Sequence, residues 1–137
     1  MKAFIDTSSL VKKYILEKGS EKLDSLLGEI TEIVVSPTCL LEITSVLTRR
    51  LKEKSLTNEQ ADWIKSELKK DYSYFSKVIW NNDLELTGIE LIYTHHLKTL
   101  DSIQLASACL AKVDLFVTSD KVLGKAAKGK IKIINFI

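Results

Sequence analysis

Two aspartates follow short apolar runs that have the composition of buried β-strands. The run 3–5 leads directly into Asp6, and the run 115–117 leads through two hydroxyl residues to Asp120. Three consecutive apolar residues fit a strand that is covered on both faces. A carboxylate is a hard oxygen ligand of the kind that Mg²⁺ and Mn²⁺ prefer. These two strand ends are therefore the first candidates for a chemical site.

Two further acids stand in segments that can reach the same place. Glu42 lies near the start of a helix that follows the second predicted strand, and Asp101 heads a small-residue helix that leads into the fourth. Four carboxylates gathered at about 3–6 Å repel one another and raise one another's pKa values. Such a cluster needs a compensating cation, and an open site of oxygen ligands favours Mg²⁺ or Mn²⁺ over zinc.

The elements that must position these acids alternate between strands and helices. Apolar runs predict strands at 2–6, 33–36, 78–80, 115–119 and 131–136. Helical spacing predicts helices at about 8–18, 20–30, 37–52, 57–72, 84–96, 101–112 and 121–128. Local signals set three of the helix starts: Ser20 as a cap, Pro37 in a first turn, and Thr57 with Gln60 as a capping box.

This alternation predicts an α/β protein whose parallel sheet has helices on both faces. Ligands of such sheets bind outside the carboxyl ends of the strands, where the strand order reverses. Asp6 and Asp120 both lie at carboxyl ends. If the first and fourth strands are neighbours, both carboxylates overhang one crevice.

Each acid also has a plain structural interpretation. Asp101 and Gln104 fit a capping box, and Glu42 suits the positive end of its helix dipole. Asp6 and Asp120 fit turn or cap positions. No single acid decides between these interpretations and a metal site. The stronger indication is that all four fall at the same predicted edge of the sheet.

The four acidic segments together resemble the PIN-domain nucleases. The segments read FIDTSSLVKKYI, LLEITSVLTRR, TLDSIQLASA and FVTSDKVLGKAA, and their order and spacing match that family along the whole chain. The nearest likeness is to the small VapC-like ribonuclease toxins of toxin–antitoxin pairs. Many relatives carry a histidine where Gln104 stands, so this one motif departs from the family pattern.

The resemblance implies a fold, a reaction and a set of partners. The fold is a three-layer α/β/α sandwich with a parallel sheet of strand order 3-2-1-4-5. The reaction is hydrolysis of RNA phosphodiesters with Mg²⁺ or Mn²⁺, and the partner is a cognate antitoxin protein. The residues that match the family's metal-binding and catalytic positions are Asp6, Glu42, Asp101 and Asp120, with Thr7 and Thr118 in supporting positions.

The composition describes an ordinary globular chain with a slight positive charge. The 137 residues carry a formal net charge of +2, with 45% hydrophobic and 28% charged residues, and we expect one domain over residues 1–137. A mildly basic chain is compatible with a nucleic-acid partner without requiring one. Basic residues flank the acidic segments, and we predict substrate contacts for Arg49, Lys121 and Lys125, whose alternative is an ordinary solvated surface.

Several other features carry weaker predictions. No apolar run is long enough to span a membrane and no signal peptide is visible, so a cytoplasmic protein is expected. Cys39 and Cys109 are predicted to be core thiols. His95 and His96 are adjacent on a helix and cannot jointly bind a metal. Core packing is expected of the aromatic residues, and the alternative is a partner-binding patch; they are Trp63, Tyr72, Tyr74, Phe75 and Trp80. The long polar fourth helix is the expected contact for a homodimer or an antitoxin.

Two other classes of function are compatible with the predicted fold, phosphoryl transfer through an aspartate and binding without catalysis. A phosphatase or phosphotransferase with a nucleophilic aspartate would use Asp6, but the haloacid-dehalogenase pattern needs a second acid where Ser8 stands. A receiver domain needs an acceptor after the third strand, where Asn81 and Asn82 stand instead. The remaining alternative is a non-catalytic module that binds RNA or a protein partner.

Overall fold

Five short parallel strands form one sheet in the computed structural model, which describes residues 1–137. The strands are β1 (Lys2–Ile5), β2 (Glu32–Val35), β3 (Ser76–Lys77), β4 (Leu115–Thr118) and β5 (Ile133–Phe136). Their order is β3-β2-β1-β4-β5, and every neighbouring pair is parallel. The predicted strand order is confirmed, and β1 lies beside β4 at the centre.

Seven α-helices connect and cover the strands. They are α1 (Thr7–Leu10), α2 (Ser20–Leu27), α3 (Cys39–Lys52), α4 (Asn58–Tyr72), α5 (Asn82–His95), α6 (Thr99–Leu110) and α7 (Lys121–Ala127), and a 3₁₀ turn at Val11–Lys13 extends α1. No helix is both long and apolar enough to cross a membrane.

The side chains of the central strands alternate between two hydrophobic clusters. Ala3 and Ile5 of β1 pack into one cluster with side chains of α1 to α4. Phe4 points the other way, into the second cluster, with side chains of α5 to α7. Its ring stacks on Phe116 of β4 at a centroid distance of 5.5 Å. A strand that presents apolar groups on both faces requires two helical layers, and the three-layer sandwich is thereby explained.

The first helix is shorter than predicted. The α-helix ends at Leu10, and the chain from Tyr14 to Lys18 turns back as a loop. Ser20 fastens this loop, because its Oγ accepts from the backbone N–H of Glu17 at 3.0 Å and donates to a carbonyl of the loop. The prediction that Ser20 caps α2 is wrong, since Gly19 holds the cap position and Ser20 is the first helical residue.

The predicted third strand at 78–80 is misplaced. The edge strand β3 pairs only Ser76 and Lys77 with β2, because β2 ends at Val35, before the chain turns into α3. The apolar residues Ile79 and Trp80 lie beyond the sheet and are exposed. Pro37 also precedes its helix, which begins at Cys39, so it does not lie in the first turn.

The capping box of α4 is confirmed. Thr57 Oγ1 accepts from the backbone N–H of Gln60 at 3.1 Å, and Gln60 Oε1 accepts from the N–H of Thr57 at 2.9 Å. Cys39 is buried in the core as predicted, whereas Cys109 is only half-buried, and both thiols are free. Burial and the charge of Glu42 raise the pKa of Cys39 to about 12.

The expectation that the aromatic residues pack in the core is wrong for three of them. Phe75 is buried and Tyr72 is half-buried, and their rings meet edge to face. Trp63, Tyr74 and Trp80 are more than half exposed, at 57%, 87% and 52%. Each of these three side chains faces solvent. The number of aromatic residues in the sequence therefore overestimates the number that pack in the core.

Candidate metal centre

Asp6 occupies the end of the central strand β1 and is held by several donors. It is 3% exposed and forms the N-cap of α1, with Oδ1 accepting from the backbone N–H of Ser9 at 2.8 Å. The hydroxyl of Ser8 donates to the same oxygen at 3.1 Å, and the hydroxyl of Thr118 donates to Oδ2. A buried carboxylate with this many neutral donors is kept in place without a protein cation.

Asp120 follows β4 and lies at the same edge of the sheet. Its Oδ1 caps α7 by accepting from the backbone N–H groups of Val122 at 2.8 Å and Leu123 at 3.1 Å. The backbone N–H of Asp120 donates to Thr118 Oγ1 at 3.0 Å. The capping interpretation of Asp120 is therefore right, and it coexists with the position beside Asp6 that the strand order gives it.

Glu42 lies in the first turn of α3 and has a donor for each carboxylate oxygen. Thr38 Oγ1 donates to Oε1 at 2.5 Å, and the amide nitrogen of Gln104 donates to Oε2 at 3.0 Å. Burial is the main cause that raises the pKa of Glu42, against these hydrogen bonds, and the charge of Asp101 adds to the rise.

Asp101 lies in the first turn of α6 and is not its cap. The helix begins at Thr99 with Lys98 in the cap position, so the predicted capping box with Gln104 is wrong. The amide of Gln104 instead reaches Thr7 and Glu42. Burial, followed by the charges of Asp120 and Asp6, raises the pKa of Asp101.

One small cavity of about 80 Å³ gathers these side chains. It is lined by Asp6, Ser8, Glu42, Asp101, Gln104, Asp120 and Leu123. The structure thus brings together all four acids predicted from the sequence, and no lysine or arginine is among the lining residues. Two supporting residues also contact this group, since Thr118 binds Asp6 and Thr7 binds Gln104.

The donor set of the cavity fits a hard divalent cation. The lining consists of four carboxylates, one hydroxyl, one amide and one apolar side chain. It includes neither a thiol nor an imidazole, the ligands that favour zinc. In the conformation described, no three His, Cys, Asp or Glu side chains have the spacing of a formed metal site. Several carboxylate oxygens are instead turned toward backbone and hydroxyl donors. Binding an ion would draw the carboxylates inward.

The cations predicted to contact substrate differ in their availability. Lys121 and Lys125 are exposed on α7, directly after Asp120. Arg49 is exposed and lies 3.9 Å from Glu53 in a weak surface pair. Its neighbour Arg50 is engaged by Glu17 at 2.7 Å. The first three therefore remain available to an anionic ligand.

Sequence reasoning missed the place of Gln104 in the site. The sequence pattern predicts only a capping partner at this position and a departure from the family motif. Its amide reaches residues that are 97 and 62 positions away in the chain. The available signal was its spacing of three residues from Asp101, which places both on neighbouring turns of one helix.

The fold and this cavity define an α/β/α protein with an acidic site at the carboxyl edge of a parallel sheet. The PIN domain family model matches residues 3–129, and the chain belongs to that family. No protein with a curated function matches the sequence significantly.

Solved structures of toxin–antitoxin proteins share the fold at low sequence identity. Mycobacterium tuberculosis VapC20, a Sarcin-Ricin loop cleaving toxin, aligns with a TM-score of 0.72 at 16% identity, over 95% of this chain and 97% of its own. VapBC2 of Rickettsia felis, bound to a DNA fragment from its promoter, aligns with a TM-score of 0.70 at 13% identity over 100% of both chains. A Klebsiella pneumoniae toxin–antitoxin complex aligns with a TM-score of 0.65 at 20% identity, over 97% and 96%.

Proposed function

We propose that this PIN-domain protein is a Mg²⁺- or Mn²⁺-dependent endoribonuclease and the toxin of a VapBC-type pair. The observation that carries the proposal is the cavity in which Asp6, Glu42, Asp101 and Asp120 meet without a cationic side chain among the lining residues. The family assignment and the fold shared with toxin–antitoxin proteins support it. The 137 residues would act as one catalytic domain, in the cytoplasm where RNA and an antitoxin are present.

The four carboxylates would hold one or two divalent ions. Bound there, such ions would lower the pKa of a water molecule and neutralise charge on a phosphate. The chain's own groups fix the ligands: Thr118 and the N–H of Ser9 orient Asp6, and the N–H groups at the start of α7 orient Asp120. These contacts hold both carboxylates at the wall of the cavity.

Proton transfer and substrate binding fall to different residues. Burial raises the pKa of Glu42 and of Asp101, and we assign to these two carboxylates the acceptance of a proton from the attacking water. Arg49, Lys121 and Lys125 are exposed, and they would bind backbone phosphates on either side of the cut. No side-chain nucleophile is needed in this scheme.

The rival scheme with Asp6 as a nucleophile has less support. Both of its carboxylate oxygens accept hydrogen bonds, and the residue is 3% exposed. The cavity offers Ser8 where the acid–base partner of a phosphatase would stand. An attacking carboxylate must reach phosphorus directly, and these contacts hold Asp6 back.

We assign the two protein partners to two different surfaces. An open groove of about 510 Å³ lies between the loop at 14–16 and α4, with Trp63 and the 87% exposed Leu16 on its walls. An apolar segment of an antitoxin fits this groove, in keeping with the predicted contact on α4. A second copy fits α5 better, because Leu86, Ile89 and Tyr93 form an exposed apolar stripe there.

RNA cleavage in defined metal tests the proposed activity. The purified chain should cut RNA in Mg²⁺ or Mn²⁺, stop in EDTA and resume when excess Mn²⁺ is added back. Because such enzymes can select particular sequences, the substrate should be total bacterial RNA. Cleavage that is equal in EDTA and in metal would overturn the proposal.

A further inference from the structure

Gln104 is a buried polar residue whose amide is shared between two elements. It is 4% exposed, lies on the inner side of α6 and lines the acidic cavity. Its amide nitrogen donates to Thr7 Oγ1 at 2.9 Å and to Glu42 Oε2 at 3.0 Å. One side chain therefore connects α6 with α1 and α3.

The carbonyl oxygen of the same amide is buried and has no hydrogen-bond partner. Turning the amide by 180° would exchange its ends and set that oxygen about 3.0 Å from Glu42 Oε2. Two acceptors would then face each other, which an ionised carboxylate disfavours. Glu42 thus dictates the orientation of Gln104, and the carbonyl is left unpaired as a consequence.

The other oxygen of Glu42 is held from its own helix. Thr38 Oγ1 lies 2.5 Å from Oε1, and Ser36 Oγ lies 3.2 Å from Thr38 Oγ1. The hydrogen bond from Thr38 fixes Oε1, but the carboxylate group can still rotate about that contact. The Gln104 amide supplies the second point of attachment, which sets the plane of the carboxylate.

We propose that Gln104 is a positioning residue that restricts Glu42 to the wall of the cavity in which the divalent cation binds. The inference rests on the proposed metal-dependent function. Gln104 is not assigned as a metal ligand or as a catalytic residue. Its effect is exerted through Glu42, so it should disappear when Glu42 has lost its charge.

Mn²⁺ binding to the purified protein tests this directly. It is measured by titration calorimetry and by the loss of the electron paramagnetic resonance signal of free Mn²⁺. Gln104→Met keeps the length of the side chain and removes the donor. It should weaken Mn²⁺ binding about 10- to 100-fold, the range typical for partners of metal ligands. Ser107→Ala is the matched control, because Ser107 is buried on the same helix and donates only to a helix carbonyl. It should leave Mn²⁺ affinity unchanged.

A double-mutant cycle separates positioning from general damage to the fold. In a Glu42→Gln background, Gln104→Met should change Mn²⁺ affinity by less than about two-fold, because the residue it acts through is already altered. This inference alone is overturned if Gln104→Met weakens Mn²⁺ binding equally in the wild-type and Glu42→Gln backgrounds. It is also overturned if the substitution does not weaken Mn²⁺ binding in the wild type. A wild-type protein that binds no Mn²⁺ overturns the proposed function together with it. If Gln104→Met does not fold, Gln104→Asn withdraws the amide from Glu42 and is read by the same cycle.

Discussion

Thr118 donates its hydroxyl hydrogen to Asp6 across the two central strands of the sheet. The same hydroxyl oxygen accepts the backbone N–H of Asp120 at 3.0 Å. One fully buried threonine therefore sets the spacing between two acids that are far apart in the chain. The geometry of the cavity is fixed by hydroxyl and backbone groups, which carry no charge that would compete with a bound cation.

Each of the changes Asp6→Asn, Asp101→Asn and Asp120→Asn should reduce metal-dependent RNA cleavage by roughly two or more orders of magnitude. Asn keeps the shape of the side chain and can still cap a helix, but it lacks the negative charge that binds the cation. The measurement is the rate of RNA cleavage in Mn²⁺, with far-UV circular dichroism as a check of folding. Activity that survives all three changes would show that the chemistry lies elsewhere.

Asp101→Asn should stabilise the metal-free protein. Asp101 is half-buried beside the charges of Asp120 and Asp6, and removing its charge relieves a screened repulsion of about 1 kcal/mol, roughly 3 °C in Tm. Added Mg²⁺ should raise the Tm of the wild type and raise that of the variant much less. The control is Asp24→Asn on the exposed side of α2, which should change neither value. An Asp101→Asn protein less stable than wild type in EDTA would contradict the clustered site.

The stability advantage of Asp101→Asn should grow as the pH rises. The folded-state pKa of Asp101 is raised above its ordinary value of 3.8, so its favourable contribution is complete below that value. That contribution is lost as the pH rises through the raised pKa. Asn imitates the protonated form at every pH. Urea unfolding of both proteins in EDTA, from about pH 4 to about pH 7, should therefore show a widening difference. A difference that narrows toward neutral pH would be evidence against the repulsion.

Replacing Arg49, Lys121 and Lys125 together by Ala should weaken RNA binding and lower its salt dependence. Three lost phosphate contacts on a single strand should reduce the slope of log K against log salt by about 2. The matched control removes three other exposed lysines, Lys65, Lys69 and Lys70 of α4. That control should bind RNA like the wild type, and Mn²⁺ affinity should be unchanged in both. An unaltered slope in the first variant would return its three residues to the ordinary surface.

The two partner surfaces should respond to different substitutions. Leu86→Lys with Tyr93→Lys puts charge on the apolar stripe of α5 and should convert a homodimer to a monomer in light scattering. Trp63→Lys puts charge in the groove beside α4 and should leave the dimer intact while it weakens inhibition by the antitoxin. Each variant is the control for the other. A wild-type protein that is monomeric at micromolar concentration would remove α5 as a contact between copies.

The sheet was predictable because its strands are buried on both faces. Runs such as 3–5 and 115–117 are apolar without interruption, and that pattern identifies central parallel strands. The prediction that β1 and β4 are adjacent follows from the resemblance to the PIN family, because strand order is not encoded in local sequence patterns. The predicted position of the edge strand β3 is wrong because only two of its residues, Ser76 and Lys77, pair with β2. So short a strand has no apolar pattern of its own, and the prediction follows the apolar residues just after it.

The identities of the four acids were predictable, but the way each is held was not. Asp120 is predictable as a cap because its donors lie two and three residues later in the sequence, at Val122 and Leu123. Asp101 and Gln104 also matched a local capping rule, yet the structure uses neither residue in that way. Tertiary contacts decided the matter, since the donors to Glu42 come partly from a helix 62 residues away.

The central position of β1 has a consequence for the order of events during synthesis. The strand β1, which ends at Asp6, can pair with β4 only after β4 has been made, and the pairing of Phe4 with Phe116 closes most of the chain into one loop. Contacts of such long range form slowly and late. The cavity therefore has no complete form until Asp120 has emerged, so an unfinished chain carries no assembled site.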